Sequence, residues 1–444
     1  METIGSEPVN HKKTHQFSGL DRSPIFDPEN RGTPLAAIYS RDNDYLFGPL
    51  LPLQLLNADS IKQDLEIPLR GGSTPAVALD SESPIWGQYR RADQEWAPAH
   101  YREKCVIKET DLVKLRKIGT ESDLMTAKEL AAKLYDPIVE RQANMIEVSR
   151  RQALFDSVVT VNGPNDSPIQ VKFPHPAYLN PSTAASWSNT ATGDTLADLQ
   201  LWLSQFIIDT SFDVQGVWLA HDQLRLTGAQ TKFIARATAG GNVFDGSDGA
   251  VNRFITSFIG IGAVEQKNNR ISSHSYITAD AASGQATIFV SDFGDIVAGS
   301  QVILKDLTSV NTDAQQKFIV SSVNKAAGSI TFTTNITKVG GFKAGSLTMS
   351  MMFLIPKNRC LIVGKPNNTK KGIGLENVSY EGTLGSWTST FQRYVDFDNP
   401  KAGPYSKIID MYKDADPPRW EQVLGINGMV KIDHVDSWMA PTVL

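Results

Sequence analysis

His11 and His15 stand four residues apart, the spacing at which one helix face would offer two imidazoles to a zinc ion. They lie, however, in an arm of about 40 residues broken by Pro24, Pro28 and Pro34, with no third ligand in the arm, and read as solvated histidines. Asp410, Asp414 and Asp416 crowd one segment, and Asp245 and Asp248 sit beside glycines. Either group could hold Ca²⁺ weakly, yet neither reproduces the ligand spacing of an EF-hand loop, and solvated turns are the simpler reading. Cys105 and Cys360 are the only thiols, too far apart for a metal-ligand pair and too few for a disulfide framework, so two free buried thiols are expected. H-E-x-x-H, the phosphate-cradling G-x-x-x-x-G-K-S/T, the nucleophile elbow G-x-S-x-G and a complete G-x-G-x-x-G are missing from the sequence. Residue types that do chemistry are present without the spacings that make them work. No catalytic residue, metal ligand or cofactor site is assigned.

Composition narrows the classes further. At 444 residues the chain is too long for one compact core, which favours two or three domains. Its 43 Lys plus Arg against 48 Asp plus Glu argue against gripping nucleic acid through neutralised phosphates, without excluding a place beside DNA. The start, METIGSEPVNHKK, has no apolar signal segment, and no run approaches bilayer-spanning length. No membrane partner is expected, and the chain should act in the cytosol or leave by lysis.

The longest element is marked by ELAAKLYDPIVERQANMIEVSRRQALF, residues 129–155. Thr126 and Glu129 have capping-box spacing, so a helix over about 126–155 is expected. Leu130, Leu134, Ile138, Met145, Ile146 and Ala153 form a thin apolar stripe, interrupted by Gln142 and Ser149. Glu140, Arg141, Glu147, Arg150 and Arg151 crowd the remainder, which implies a helix lying on one layer rather than enclosed by a core. Pro137 should bend it. Ahead of it, the apolar run YLFGPLLPLQLL should anchor the arm to the folded body. IKQDLEIPLRGG then places Leu65, Ile67 and Leu69 on one strand face, with Asp64 and Glu66 on the other, before a glycine turn. The return towards Cys105 to Ile107 makes a projecting hairpin with no domain around it. Such a ribbon is marginal in water and calls for a surface from another copy of the chain.

Further on, SVVTVNG and SPIQVKF read as a hairpin, and TLADLQLWLSQFIID as a helix capped by Asp194 or Thr195 with Leu199, Trp202, Leu203, Phe206 and Ile207 at helical spacing. GVWLAHDQLRL reads as a strand entering a helix and FITSFIGIGAV as another strand, together a mixed α/β unit. Between residues 272 and 350, ATIFV, QVILKDL, KFIVSSV and SITFTT recur with Gly and Asp between them, the pattern of a small β-barrel or sandwich inserted into a surface loop. The flanks FIGIGAVEQKNNRI and MMFLIPKNRCLIVG are strand-like and would pair with each other.

In order, LFGPLLPLQLLNADSIKQDLEIPLRGG, AHYREKCVIKETDLVKLRKIGT, ERQANMIEVSRRQALFDSVVTVNG, AASWSNTATGDTLADLQLW and FLIPKNRCLIVG resemble the major capsid proteins of tailed bacteriophages with the HK97 fold. Within them the chain is most similar to the lambda gpE-like family, phage major capsid protein E. The resemblance runs from about residue 40 to the end, apart from the β insert; Thr195 stands where members often carry proline.

The resemblance implies an α+β fold of HK97 type: an N-terminal arm at 1–57, an E-loop at 58–104, and a peripheral domain at 105–185 built on the long spine helix. It further implies an axial domain at 186–271 and 351–375, interrupted by the insert at 272–350, then peripheral return strands at 376–425 and an axial end at 426–444. The implied role is mechanical rather than enzymatic: hexamers and pentamers of one chain tile an icosahedral head around double-stranded DNA, in a virion assembled in the host cytoplasm. A scaffolding protein, a portal at one vertex and a decoration or cement protein are the implied partners, with DNA met non-specifically on the inner face. Inter-subunit contact is expected through Leu65, Ile67 and Leu69, and through Arg70, Arg90, Arg91, Arg102 and Lys104 paired with acids of a neighbouring spine helix such as Glu140 or Glu147. Some relatives fuse subunits through a Lys to Asn bond from this loop; here Lys62 lies at its base and the tip has none, so that chemistry is not expected. The alternatives are another virion structural protein, or a module in which the insert binds a host glycan or decoration protein.

Overall fold

The computed structural model describes residues 45–56, 60–67, 90–96, 98–108, 122–162, 168–220, 222–239, 244–260, 264–267, 269–291, 296, 298, 300–306, 315–324, 327–365, 383–390, 407–415 and 418–443. Its longest element is helix α1 (Ser122–Asp156), 35 residues and so about 50 Å long. The helix begins a turn before the capping-box pair Thr126 and Glu129, which therefore does not mark its start. A larger departure concerns its surroundings. Ile138, Ala143, Ile146, Ala153, Leu154 and Phe155 are buried as the stripe predicts, but so are Gln142, Glu147, Ser149 and Arg150. The last four turns are enclosed rather than laid on one layer, because their polar groups find partners inside the fold.

Around α1 runs a five-stranded sheet built from β1 (Leu53–Leu56), β4 (Ala99–Lys108), β16 (Gly385–Thr390), β17 (Lys407–Ala415) and β18 (Pro418–Ile432). The 15-residue β18 is its backbone: β4 and β17 flank its first ten residues on opposite sides, and β16 pairs with its end. β1 runs parallel to β16. The apolar run before it is seated as expected, with Leu46, Phe47, Leu50 and Leu51 buried. At β16 and β18 the packing leaves no room for a side chain: a Cβ on Gly428 would stand 2.4 Å from the Trp387 indole. Two separate ribbons project beside this sheet. β2 (Ile61–Ile67) pairs only with β3 (Arg90–Trp96) among the described residues, and β5 (Val158–Asn162) with β6 (Pro168–Lys172), the latter being the hairpin read from SVVTVNG and SPIQVKF.

The next unit is α/β. Its sheet orders β19 (Trp438–Met439), β15 (Leu361–Gly364), β7 (Val214–Leu219) and β8 (Val264–Gln266). Helix α2 (Thr195–Thr210) is capped by Asp194, whose carboxylate accepts the Ala197 N–H at 3.2 Å; Leu199, Trp202, Leu203 and Phe206 are buried, whereas Ile207 turns outward. Helices α3 (Gln223–Gly228), α4 (Thr231–Thr238) and α5 (Asp248–Ile259) form the crossover between the parallel β7 and β8. FITSFI is thus helical, not a strand. Ser247 caps α5, Val251 and Ile255 bury one face, and Gly260 ends it in the left-handed region at φ 73°, so strand pairing starts only at Val264.

Between β8 and β15 comes an antiparallel insert of β9 (Arg270–Tyr276), β10 (Thr287–Phe289), β11 (Gln301–Lys305), β12 (Gln315–Asn324), β13 (Ser329–Phe332) and β14 (Leu347–Phe353), in the order β10-β13-β12-β11-β14-β9. An Ile277–Val290 bridge, with Thr278 N–H to Phe289 O at 2.9 Å and Ser291 N–H to Tyr276 O at 2.9 Å, joins the ends. The six strands therefore close into a barrel. The chain enters and leaves through paired β9 and β14, Arg270 opposite Phe353. β8 and β15, the other strand segments of the two flanks, instead lie on opposite sides of β7. The barrel has its own apolar core, including Ile277, Val302, Leu304, Phe318, Ile330, Phe332 and Phe342, distinct from the core shared by the other units. Phe318 and Phe332 stack there at 4.6 Å. Phe332→Ala is expected to destabilise the barrel by about 3–5 kcal/mol while leaving the unfolding of the α1 unit unchanged, a separation that calorimetry of the whole chain will resolve into two transitions.

Candidate assembly surfaces and the joint that orients them

Glu147, in the enclosed half of α1, has no exposed surface. One of its oxygens accepts the Phe47 N–H at 2.7 Å and the other pairs with Arg150 Nη1 at 3.1 Å. A buried carboxylate is tolerated only when hydrogen-bonded and paired, and here the donors come from the preceding apolar segment and from the helix itself. The Phe47 ring meets Phe155 edge-on at 6.2 Å and Trp218 of β7 at 6.3 Å. One residue thus ties the entering chain to the helix and to the α/β sheet.

The end of α1 is held from the same side. Trp438 Nε1 donates to Leu154 O at 2.9 Å and the Arg359 guanidinium donates to Phe155 O, two carbonyls left over at a helix end, with the cation matching the helix dipole. His175 stacks on Trp438 at 4.4 Å and donates through Nδ1 to Val435 O at 2.6 Å. Burial, reinforced by Arg359 nearby and opposed by the carbonyl bond, lowers its pKa to about 4. Burial likewise raises the Tyr101 hydroxyl to about 12, against a hydrogen bond with Ser149 of α1, and holds the fully buried Cys360 thiol above its ordinary range. The Cys105 side chain lies outside the described residues.

Strand pairing assigns the faces of the five-stranded sheet. Tyr101 and Glu103 share the face towards α1, where Glu103 meets Arg141 at 3.2 Å. Arg102 and Lys104 pair in register with Gly425 and Val423, and His100 Nδ1 is 2.7 Å from Asn427 Oδ1. The β2–β3 ribbon is rooted by buried Ile61, by Trp96 packed edge-on against Phe173 at 6.1 Å, and by an exposed Lys62–Glu95 pair at 3.9 Å, with Ser60 also donating to Glu95. Beyond the root, Leu65 lies opposite Ala92, Ile67 opposite Arg90, and Glu66 opposite Arg91.

Most expected contact residues fall on the ribbon and sheet, but not together. Leu69 and Arg70 lie outside the described residues, as do the His11–His15 pair and Asp416. Glu140 is exposed on α1. Glu147 requires correction: enclosed and bonded within its own subunit, it is closed to arginines of a neighbour. Asp245, read as a loose turn acid, accepts from the backbone and hydroxyl of Ser247 at 3.0 and 2.9 Å and so buttresses the cap of α5. Sequence reasoning missed Arg359, Trp438 and His175, which act only through the three-dimensional joint.

Residues 70–205, from the ribbon through α1 to α2, match the model of the family described as phage major capsid protein E. The fold is α+β, combining the long helix α1, the two-stranded ribbon, the α/β unit and the barrel. Among solved structures it is similar to a protein described as a prophage capsid protein of Escherichia coli CFT073 (10% identity, TM-score 0.44, covering 93% of this chain and 98% of that one). It is also similar to a phage-related protein of Bordetella bronchiseptica RB50 (8%, 0.43, 92% and 96%) and to a protein of Mycobacterium phage Patience (10%, 0.39, 94% and 87%). No curated protein matches it.

Two measurements probe the joint. Glu147→Ala removes the acceptor of the Phe47 N–H and one partner of buried Arg150, and should cost roughly 3–5 kcal/mol in urea denaturation of the unassembled chain, with Glu147→Gln costing less. His175 is neutral in the fold down to about pH 4 but takes up its proton near 6.5 when unfolded. The unfolded state then holds more protons between those values, so stability falls as pH drops through that window, by on the order of 3 kcal/mol in all. Melting curves of a His175→Phe variant, which keeps a ring on Trp438, should lose that slope.

Proposed function

We propose that copies of this chain associate into hexameric and pentameric capsomers, and that these tile the closed icosahedral head of a tailed bacteriophage around its double-stranded DNA. The observation that carries this reading is the β2–β3 ribbon: firmly rooted by Ile61 and Trp96, it pairs with no other strand among the described residues. Two strands alone are marginal in water, so the ribbon finds its complement on a neighbouring copy. In this reading the ribbon is the E-loop, residues 1–57 are the arm, the five-stranded sheet with α1 is the peripheral domain, the α/β unit is the axial domain, and the barrel faces outward. A scaffolding protein guides assembly, a portal occupies one vertex, and a decoration protein has the outer surface to bind. The net charge of −5 suits an inner wall that DNA slides along without sticking. The role is structural.

Electron microscopy of the purified, overexpressed chain, alone and with its scaffold, tests the reading through the appearance of closed shells. Leu65→Asp with Ile67→Asp is expected to leave soluble subunits or capsomers that do not close. Normal shells from that double variant would remove the ribbon from the assembly contact.

A further inference from the structure

Antiparallel sheets usually turn polar residues to water, and one wall of the barrel does not. Along β11, Val302 and Leu304 point into the barrel core, so Gln301, Ile303 and Lys305 point outward. Phe318 and Val320 of β12 and Thr348 of β14 are buried in the same way. Lys317 and Ile319 therefore face outward on one side of β11, and Leu347 and Met349 on the other. Register completes the surface. Ile303 stands between Lys317 and Met349, and Lys305 between Gln315 and Leu347, with Tyr276 of β9 next in that row. Ile303, Leu347 and Met349 are half-buried among their neighbours, whereas Tyr276 is 54% and Ile319 47% exposed. These apolar side chains lie on four adjacent strands and form one face about 15 Å wide. A contiguous apolar face of that kind marks a contact surface, where scattered single residues would not.

Charge and position say what covers it. Lys305 and Lys317 are exposed and join no ion pair with a described residue, and none of the four strands contains an acid. Elsewhere in the barrel, Lys338 and Lys343 each have an aspartate at 2.8 Å, Asp306 and Asp280. The wall is thus cationic and uncompensated. Set against the same wall of a second copy it would bring lysines to lysines with no acid between them, which disfavours self-pairing. Nor does the chain's own body reach it: Arg270 opposite Phe353 is where the barrel is tethered, and Tyr276 opposite Leu347 is the far end of the same two strands, about 20 Å away. An aliphatic centre offers a sugar little to hydrogen-bond, but it matches apolar side chains rimmed by carboxylates. We infer that this wall docks an acidic polypeptide that is not a copy of this chain. Apolar side chains of that partner sit on Ile303, Leu347, Met349 and Tyr276, and its carboxylates reach Lys305 and Lys317. The inference goes beyond the assembly reading and does not depend on shell formation.

Binding to the full-length, unassembled chain tests it, with an amphipathic helical peptide bearing leucine on one face and glutamate on the other as the probe. The peptide should bind, less tightly as salt rises. Lys305→Glu with Lys317→Glu should weaken binding by about tenfold or more. Lys172→Glu with Lys365→Glu, an equal change of charge at exposed lysines outside the barrel, should leave it unaltered. Tyr276→Ser should weaken it severalfold, and an unchanged melting transition of the barrel checks that each variant is folded. No binding of the peptide, or equal binding by the Lys305 and Lys317 variant, would overturn the inference. Tighter binding of polygalacturonate than of the peptide would overturn it in favour of an acidic glycan. Self-association of the unaltered chain that the Lys305 and Lys317 reversals abolish would overturn it in favour of a contact between copies.

Discussion

A fully buried carboxylate between Phe47 and Arg150 fixes the directions in which this chain reaches out. Glu147 would be costly inside a fold if either partner were missing, and its geometry is therefore unforgiving: a backbone N–H at 2.7 Å and a guanidinium at 3.1 Å. The N–H belongs to the segment that enters the body at Tyr45, whose hydroxyl also reaches Asn144 of α1 at 3.4 Å. A few residues later the same segment becomes β1 and then the ribbon. An ionic bond at the middle of a long helix thus sets the launching point of the projecting parts.

The same end of the helix couples the five-stranded sheet to the α/β unit. Phe47 touches both Phe155 and Trp218, while Trp438 and Arg359 take the last free carbonyls of α1. Helix ends usually give such carbonyls to water or to a glycine cap; here they are satisfied by residues more than 200 positions away in sequence. The two units therefore share one continuous apolar core. The barrel is outside that core. Its core is separate and its connection is one strand pair, so it can differ in sequence or size without disturbing the frame.

Local periodicity carried those elements whose partners are near in sequence. Leu199, Trp202, Leu203 and Phe206 marked the buried face of α2, and two alternating runs marked the β5–β6 hairpin, because their patterns are set by one adjoining layer. FITSFI misled because β-branched and aromatic residues fit either period, and the deciding features were the cap at Ser247 and the left-handed Gly260. Glu147 misled for a deeper reason. A polar residue on an amphipathic helix is assigned to solvent by pattern, and only a long-range donor such as the Phe47 N–H makes its burial tolerable. Glu147 and Arg150 at i, i+3 were visible as a pair, but nothing in that spacing says whether water or protein surrounds it. The order of segments along the chain carried a family resemblance without resolving these contacts.

One chain holds two opposite treatments of the strand edge. The barrel closes through Ile277 and Val290, leaving no row of unpaired backbone groups, so whatever meets it must do so through side chains or loops. The ribbon does the reverse: its seven residue pairs in register, Ile61 with Trp96 through Ile67 with Arg90, meet no third strand among the described residues. Exposed edges of that kind invite promiscuous pairing unless side chains forbid it, and charge is the usual means. Lys62, Asp64, Glu66, Arg90, Arg91, Asp93 and Glu95 supply that charge within the two strands.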